Sequence, residues 1–113
     1  MKTEDVCTGV KVVTTTWGDE ISWTFGQCQS SQAYGNNEVY TEECCQKAGP
    51  YELVCKDSYG DGWHGGYIEI EGTQYCKDFK GGKEKTEEAT MSNVIANTYI
   101  FAICILTLIL INL

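Results

Sequence analysis

The run YELVCKDSYGDGWHGGYIEIEG, Tyr51 to Gly72, reads as strand, loop, strand. Tyr51 to Lys56 and Tyr67 to Glu71 are rich in aromatic and β-branched residues, and Ile68 and Ile70 recur at the two-residue spacing that turns one face of a strand toward a core. Between Cys55 and Gly72 five glycines and two aspartates surround Tyr59, Trp63 and His64. So many glycines together imply a tightly folded exposed loop in which the backbone repeatedly takes positive φ, and not a two-residue turn.

The same grammar extends on both sides. Val10 to Thr16, Glu20 to Phe25, Glu38 to Thr41 and Gln74 to Phe79 complete a set of six expected strands, with turns at Gly18, Asn36, Gly49 and Gly72. Ile21, Trp23 and Phe25 alternate as Ile68 and Ile70 do, and Pro50 stands at the start of a strand, where its missing N–H matters little. No amphipathic helix is legible before residue 80. The expectation is an all-β, jelly-roll-like β-sandwich over residues 1–80, followed by a C-terminal hydrophobic membrane helix.

Cysteine is the loudest compositional signal. Cys7, Cys28, Cys44, Cys45, Cys55 and Cys76 lie in the polar part of the chain, and Cys104 in its apolar end. A domain this short buries too little apolar surface to be comfortably stable alone, and disulfides, at about 2–4 kcal/mol each, usually supply the difference. Three bridges and an oxidising compartment are expected, and the sequence does not choose among the pairings. Zinc fits poorly, because there is no C-x-x-C pair and His64 is the one histidine. Cys7 to Cys28 and Cys55 to Cys76 are equally spaced, which suggests an old duplication, although the Gly-Asp pairs inside the two intervals fall out of register.

Charge narrows the partners. The net charge is −8, every charged residue lies at or before Glu88, and there is no arginine. Nucleic acid is an improbable partner for such a chain, since its binding depends on basic side chains displacing counterions from phosphates. A cation, a glycan or a protein fits better.

From Val94 to Leu113 twenty residues run without a charge. As a helix they would cover about 30 Å, the thickness of a bilayer core, and they are apolar all round. Residues 94–113 are therefore expected to be a transmembrane segment or a lipid-anchor signal. Gly81 and Gly82 ahead of a polar stretch suit the latter, and Lys83 counts against it. GGKEKTEEATMSN, residues 81–93, has no apolar pattern and reads as a flexible polar stalk. MKTEDVCTGVKV at the start lacks an apolar h-region, so it does not read as a secretory signal peptide. Disulfides then imply a leader that was removed or omitted, or a large virus with its own oxidation route, assembling in the cytoplasm.

DSYGDGWHGGYIEIEG, together with WGDEISWTFG, the adjacent pair Cys44-Cys45 and GPYELVCKD, resembles cysteine-rich modules of extracellular and surface proteins in marine invertebrates and microbial eukaryotes. The resemblance covers roughly Cys7 to Phe79, and D-x-Y-G-D-G-W is its distinctive core. It implies a secreted-type β module and brings no catalytic residues with it.

Three readings compete for the glycine-rich loop. Calcium would draw on Asp57, Asp61, Glu69 and Glu71, although the spacing fails as an EF-hand, whose third and twelfth positions would be Tyr59 and Ile68; another geometry could include Asp19 and Glu20. A glycan could stack on an exposed Tyr59 or Trp63, with His64 and the aspartates meeting its hydroxyls. The plainer account makes Trp63 a core plug and lets the aspartates bond their own turns. Catalysis is not expected: one histidine, oxidised cysteines and no nucleophile elbow leave little to work with. The leading expectation is a non-enzymatic, membrane-anchored surface module for binding or adhesion through residues 57–66, in contact with lipid through its tail and with a protein or glycan through its β domain. The alternative is a structural membrane protein of a virion or surface coat that packs against shell proteins.

Overall fold

The computed structural model describes residues 4–92. Eight strands form: β1 (Asp5–Val13), β2 (Ile21–Phe25), β3 (Cys28–Gln29), β4 (Val39–Lys47), β5 (Gly49–Asp57), β6 (Tyr67–Ile70), β7 (Thr73–Tyr75) and β8 (Glu84–Met91), with one 3-10 turn at Gly18–Glu20. They make two four-stranded antiparallel sheets, β4-β1-β6-β7 and β3-β2-β5-β8. The period-two pattern explains the layering. Val10, Val12, Ile68 and Ile70 from one sheet meet Trp23, Phe25, Leu53, Ala89 and Met91 from the other in a single buried cluster. The expected small, disulfide-stapled, sandwich-like all-β domain is what forms.

All six cysteines of the domain pair, as Cys7–Cys45, Cys28–Cys44 and Cys55–Cys76. The adjacent cysteines of β4 serve different layers because successive side chains of a strand point to opposite faces. Cys44 is buried and bridges to β3 of the facing sheet, while Cys45 is exposed and bridges to Cys7, its register partner on β1. Cys55 also crosses the sandwich, from β5 to Cys76 just after β7. Since Cys7 does not pair with Cys28, the two equally spaced intervals are not equivalent units. Three disulfides place the domain in an oxidising, extracellular-type environment.

Several boundaries differ from expectation. Residues 81–93 are not a flexible stalk throughout, because Glu84–Met91 is β8, paired with β5 from Gly49↔Met91 to Lys56↔Glu84. Its charges mask an alternation in which Ala89 and Met91 point inward while Glu84, Thr86, Glu88 and Thr90 face solvent, the composition of a protected edge strand. The first strand begins earlier and stops at Val13, since Thr14 turns its hydroxyl to the carbonyl of Gly35 (2.7 Å) and receives the N–H of Glu38 (3.0 Å). The third runs on through both cysteines to Lys47. Gly49 opens β5 instead of making a turn, and the last expected strand ends at Tyr75 because Cys76 takes φ 62°.

A polar chain that runs from the core to the surface ties the 30–42 segment down. The Trp23 Nε1–H donates to the Tyr34 hydroxyl (2.8 Å), which donates to Glu42, and Glu42 also receives the Ser31 N–H (2.9 Å). Burial works to raise the Glu42 carboxyl, but the donors from Ser31, Tyr34 and Gln32 outweigh it and hold it below the usual range. Among the described residues no helix is long and apolar enough to cross a membrane. The expected membrane segment, 94–113, lies outside the described residues.

Candidate functional site

Register brings the site together. Ile21 of β2 pairs with Asp57 of β5, and the Ser58 N–H donates to the Glu20 carbonyl (3.0 Å), so the turn before β2 and the loop after β5 meet at one end of the domain. The loop is closed from the other side by the chain that leads into β8: Asp61 bridges Gly82, the Gly82 N–H reaches the Gly60 carbonyl (2.9 Å), and the Asp57 N–H reaches the Lys83 carbonyl (2.8 Å).

Asp57 organises the loop from within. Its side chain is buried, and its carboxylate accepts the N–H groups of Tyr59 (3.2 Å), Gly60 (3.1 Å), Asp61 (2.6 Å) and Gly62 (2.7 Å). Burial alone would raise this carboxyl; the donors, led by Asp61 and Gly62, reverse the effect and hold it below the usual range. Gly62 has to be glycine, because at φ +87° a Cβ would sit 2.3 Å from the Phe79 carbonyl oxygen. D-S-Y-G-D-G-W is thus a buried acid followed by the turn it holds.

Trp63 closes the motif inward. It is fully buried, donates its Nε1–H to the Lys56 carbonyl (2.9 Å), and lies against Phe79 at 6.2 Å between ring centroids. It is a core residue and offers no face to a ligand, which corrects its place among the expected binding residues. His64, at φ 54°, has its carbonyl held by the Thr15 hydroxyl (2.8 Å) and its Nε2 3.3 Å from Asp61 Oδ2. Tyr59 is 74 % exposed. Of the four acids expected to hold a metal, only Asp57 and Asp61 converge. Glu69 sits in β6 opposite Gln74, and Glu71 belongs to the two-residue hairpin Glu71-Gly72, where both φ are positive and its carboxylate receives the Ser92 N–H (3.1 Å).

The third acid is Glu20. Carboxylate oxygens of Glu20, Asp57 and Asp61 lie within 4.8 Å of one another. Burial, then the charges of Asp57 and Asp61 and more weakly Asp19, push the Glu20 carboxyl above its usual range. Glu20 Oε2 and Asp61 Oδ1 are shielded and accept no hydrogen bond. These three could contribute to holding a cation, but calcium asks for six to eight oxygens, and those of Asp57 already serve four N–H donors. Among the described residues the other such group is Cys7, Glu43 and Cys45, whose sulfurs are consumed in a disulfide.

Above the acids opens a cleft of about 260 Å³ lined by Trp17, Glu20, Tyr59 and Asp61. Trp17 is 57 % exposed. It is turned outward by a left-handed backbone (φ 59°) as the chain drops into Gly18, which packs so closely on Gly35 that a Cβ would meet its carbonyl at 2.1 Å. Sequence reading did not single out Trp17. The available signal was a large aromatic between an expected strand and a Gly-Asp turn, out of phase with the inward Val10 and Val12 of the strand before it. Comparison with family models, with curated proteins and with solved structures returned no match.

Proposed function

We propose that this chain is a non-enzymatic surface module that binds a partner through the cleft between Trp17 and Tyr59, with residues 94–113 anchoring it to a membrane. The observation that carries the binding reading is the pair of solvent-exposed aromatic side chains lining one cleft together with Glu20 and Asp61. Large aromatics held outward on a disulfide-stapled scaffold lose little conformational entropy on binding, and pockets of this kind recognise ligands by a few fixed polar groups among apolar walls. The contact site expected at residues 57–66 is therefore narrowed to Tyr59 and Asp61 and extended to Trp17 and Glu20. The uncharged tail supports the anchoring, and the three disulfides support display on the oxidising side.

The test is to display the full chain, in a non-ionic polyoxyethylene detergent, to arrays of synthetic glycans and of basic, neutral and acidic peptides. Saturable binding is expected that is lost in W17A and Y59A, both of which keep the melting temperature within a few degrees because these side chains are largely outside the core. Binding that both variants retain, or no saturable ligand of either kind, would remove the cleft as the contact site and leave a structural subunit that acts through broad protein contacts.

A further inference from the structure

We infer that the cleft accepts the cationic end of a lysine or arginine side chain presented by a protein partner. This rests on the reading that the cleft is the contact site, and it names the chemistry that fills it.

Charge is the first argument. Ion pairs among the described residues are Asp61–His64 and Asp78–Lys85, so neither Glu20 nor Asp57 has a cationic partner within 4.0 Å. Asp61 has His64 beside it, whereas Glu20 and Asp57 crowd it and each other with no lysine in reach, in a chain whose net charge is −8. Such a field draws a basic partner and fixes how it approaches.

The second argument is hydrogen-bonding capacity. Glu20 and Asp61 line the cleft, and a carboxylate offers acceptors and no donor. Ammonium and guanidinium groups bring several N–H donors together with the charge. A quaternary ammonium brings charge alone, and a sugar hydroxyl brings a donor alone.

The walls are the third. Cations are attracted to the faces of tryptophan and tyrosine, and the apolar stems of lysine and arginine lie well against them. The rings add no ligand for a metal ion. Volume agrees, because about 260 Å³ falls below the roughly 300–1,000 Å³ of pockets that enclose a whole drug-sized ligand, and suits the end of one side chain.

The experiment follows the Trp17 indole and Tyr59 amide resonances of the full chain in polyoxyethylene micelles during titration with Nα-acetyl-lysine amide and Nα-acetyl-arginine amide. Parallel titrations use the norleucine and trimethyllysine analogues, a panel of methyl glycosides and calcium chloride. Both basic probes should give saturable shifts, the norleucine analogue none, and trimethyllysine weaker ones. E20Q should weaken the basic probes by roughly tenfold, and W17A by at least as much, with W17F close to wild type. E20Q relieves repulsion among the acids, so its melting temperature should not fall; reduced binding by a fold of equal or greater stability is a result that structural damage does not produce.

Equal shifts from the norleucine analogue would overturn the inference, and so would calcium displacing the basic probes from the same resonances. A glycoside that saturates in a Trp17-dependent manner where lysine and arginine do not would overturn the basic side chain while leaving the cleft as the contact site. Failure of every probe to move Trp17 or Tyr59 would overturn both.

Discussion

Replacing Asp57 by alanine removes the acceptor of four backbone N–H groups while leaving those donors in place. Two of the four bonds are short, from Asp61 at 2.6 Å and Gly62 at 2.7 Å, and the Gly62 bond is fully buried. A hydrogen bond to a charged group contributes about 1.5–3 kcal/mol, and an orphaned buried donor costs about 1–3 kcal/mol. The two longer bonds, at 3.1 and 3.2 Å, end on part-buried amides that water can partly reach. The total loss for D57A is then about 3–5 kcal/mol, against a stability of about 4–13 kcal/mol for a domain of this length. At about 4–8 °C per kcal/mol the melting temperature falls by about 12–40 °C. D57N keeps one oxygen, and in the orientation that leaves it at Oδ2 it still meets three of the donors, so its cost is smaller, about 1.5–3 kcal/mol. The assay is urea unfolding of the oxidised protein, with the fluorescence of buried Trp23 and Trp63 as the signal. A D57A variant within about 1 kcal/mol of wild type would refute the assignment of Asp57 as the organiser of the loop.

Two further outcomes follow from the same physics. Tyr34→Phe deletes the hydroxyl that accepts from Trp23 and donates to Glu42, leaving a buried indole N–H unpaired; a loss of about 1–3 kcal/mol is expected in the same unfolding assay, with unchanged disulfide mapping. Acid should destabilise the domain as pH drops below about 4, because Asp57 and Glu42 are held low in the fold and their contributions, present above the ordinary carboxylate pKa values, are lost as pH falls through the depressed ones. Glu20 acts with the opposite sign: its raised carboxyl favours the fold below the ordinary glutamate value and loses that contribution as pH rises through the raised one. E20Q should therefore be at least as stable as wild type at pH 7 and gain less on mild acidification, which melting curves from pH 7 to pH 3 will read.

The alternation of large apolar residues made most of the fold legible. Ile21, Trp23 and Phe25, and Ile68 and Ile70, point where their spacing says they should, and the even number of cysteines in the polar part gave three bridges. β8 stayed hidden because an edge strand carries its charges on the solvent face, and in sequence that looks like a linker. The site was half visible. The glycines and aspartates of the loop mark a built turn, and their spacing in sequence places Asp57 and Asp61 together. The sequence named Glu20 only beside Asp19, as part of an alternative cation geometry, and did not name Trp17; both arrive through the pairing of β2 with β5, a contact between residues far apart along the chain. Spacing is silent on the direction of an aromatic in a glycine-rich loop: Trp63 goes inward and Tyr59 outward because Gly62 admits the backbone turn between them.

The neighbouring cysteines of β4 give refolding a specific way to go wrong. If β4 slid by one residue along β1, Cys44 would stand opposite Cys7, and Cys45 would face the interior where Cys28 waits. Oxidation in that alignment would lock a swapped isomer of identical mass, with both bridges formed and only the connectivity changed. Hydrophobic patterning is what discriminates against it, because the slip would turn Glu43 and Lys47 inward in place of Cys44 and Gln46. A chain oxidised before its sheets have packed lacks that discrimination, so the order of collapse and oxidation decides how much of it is trapped, and a disulfide isomerase is the cellular activity on which its yield should depend most.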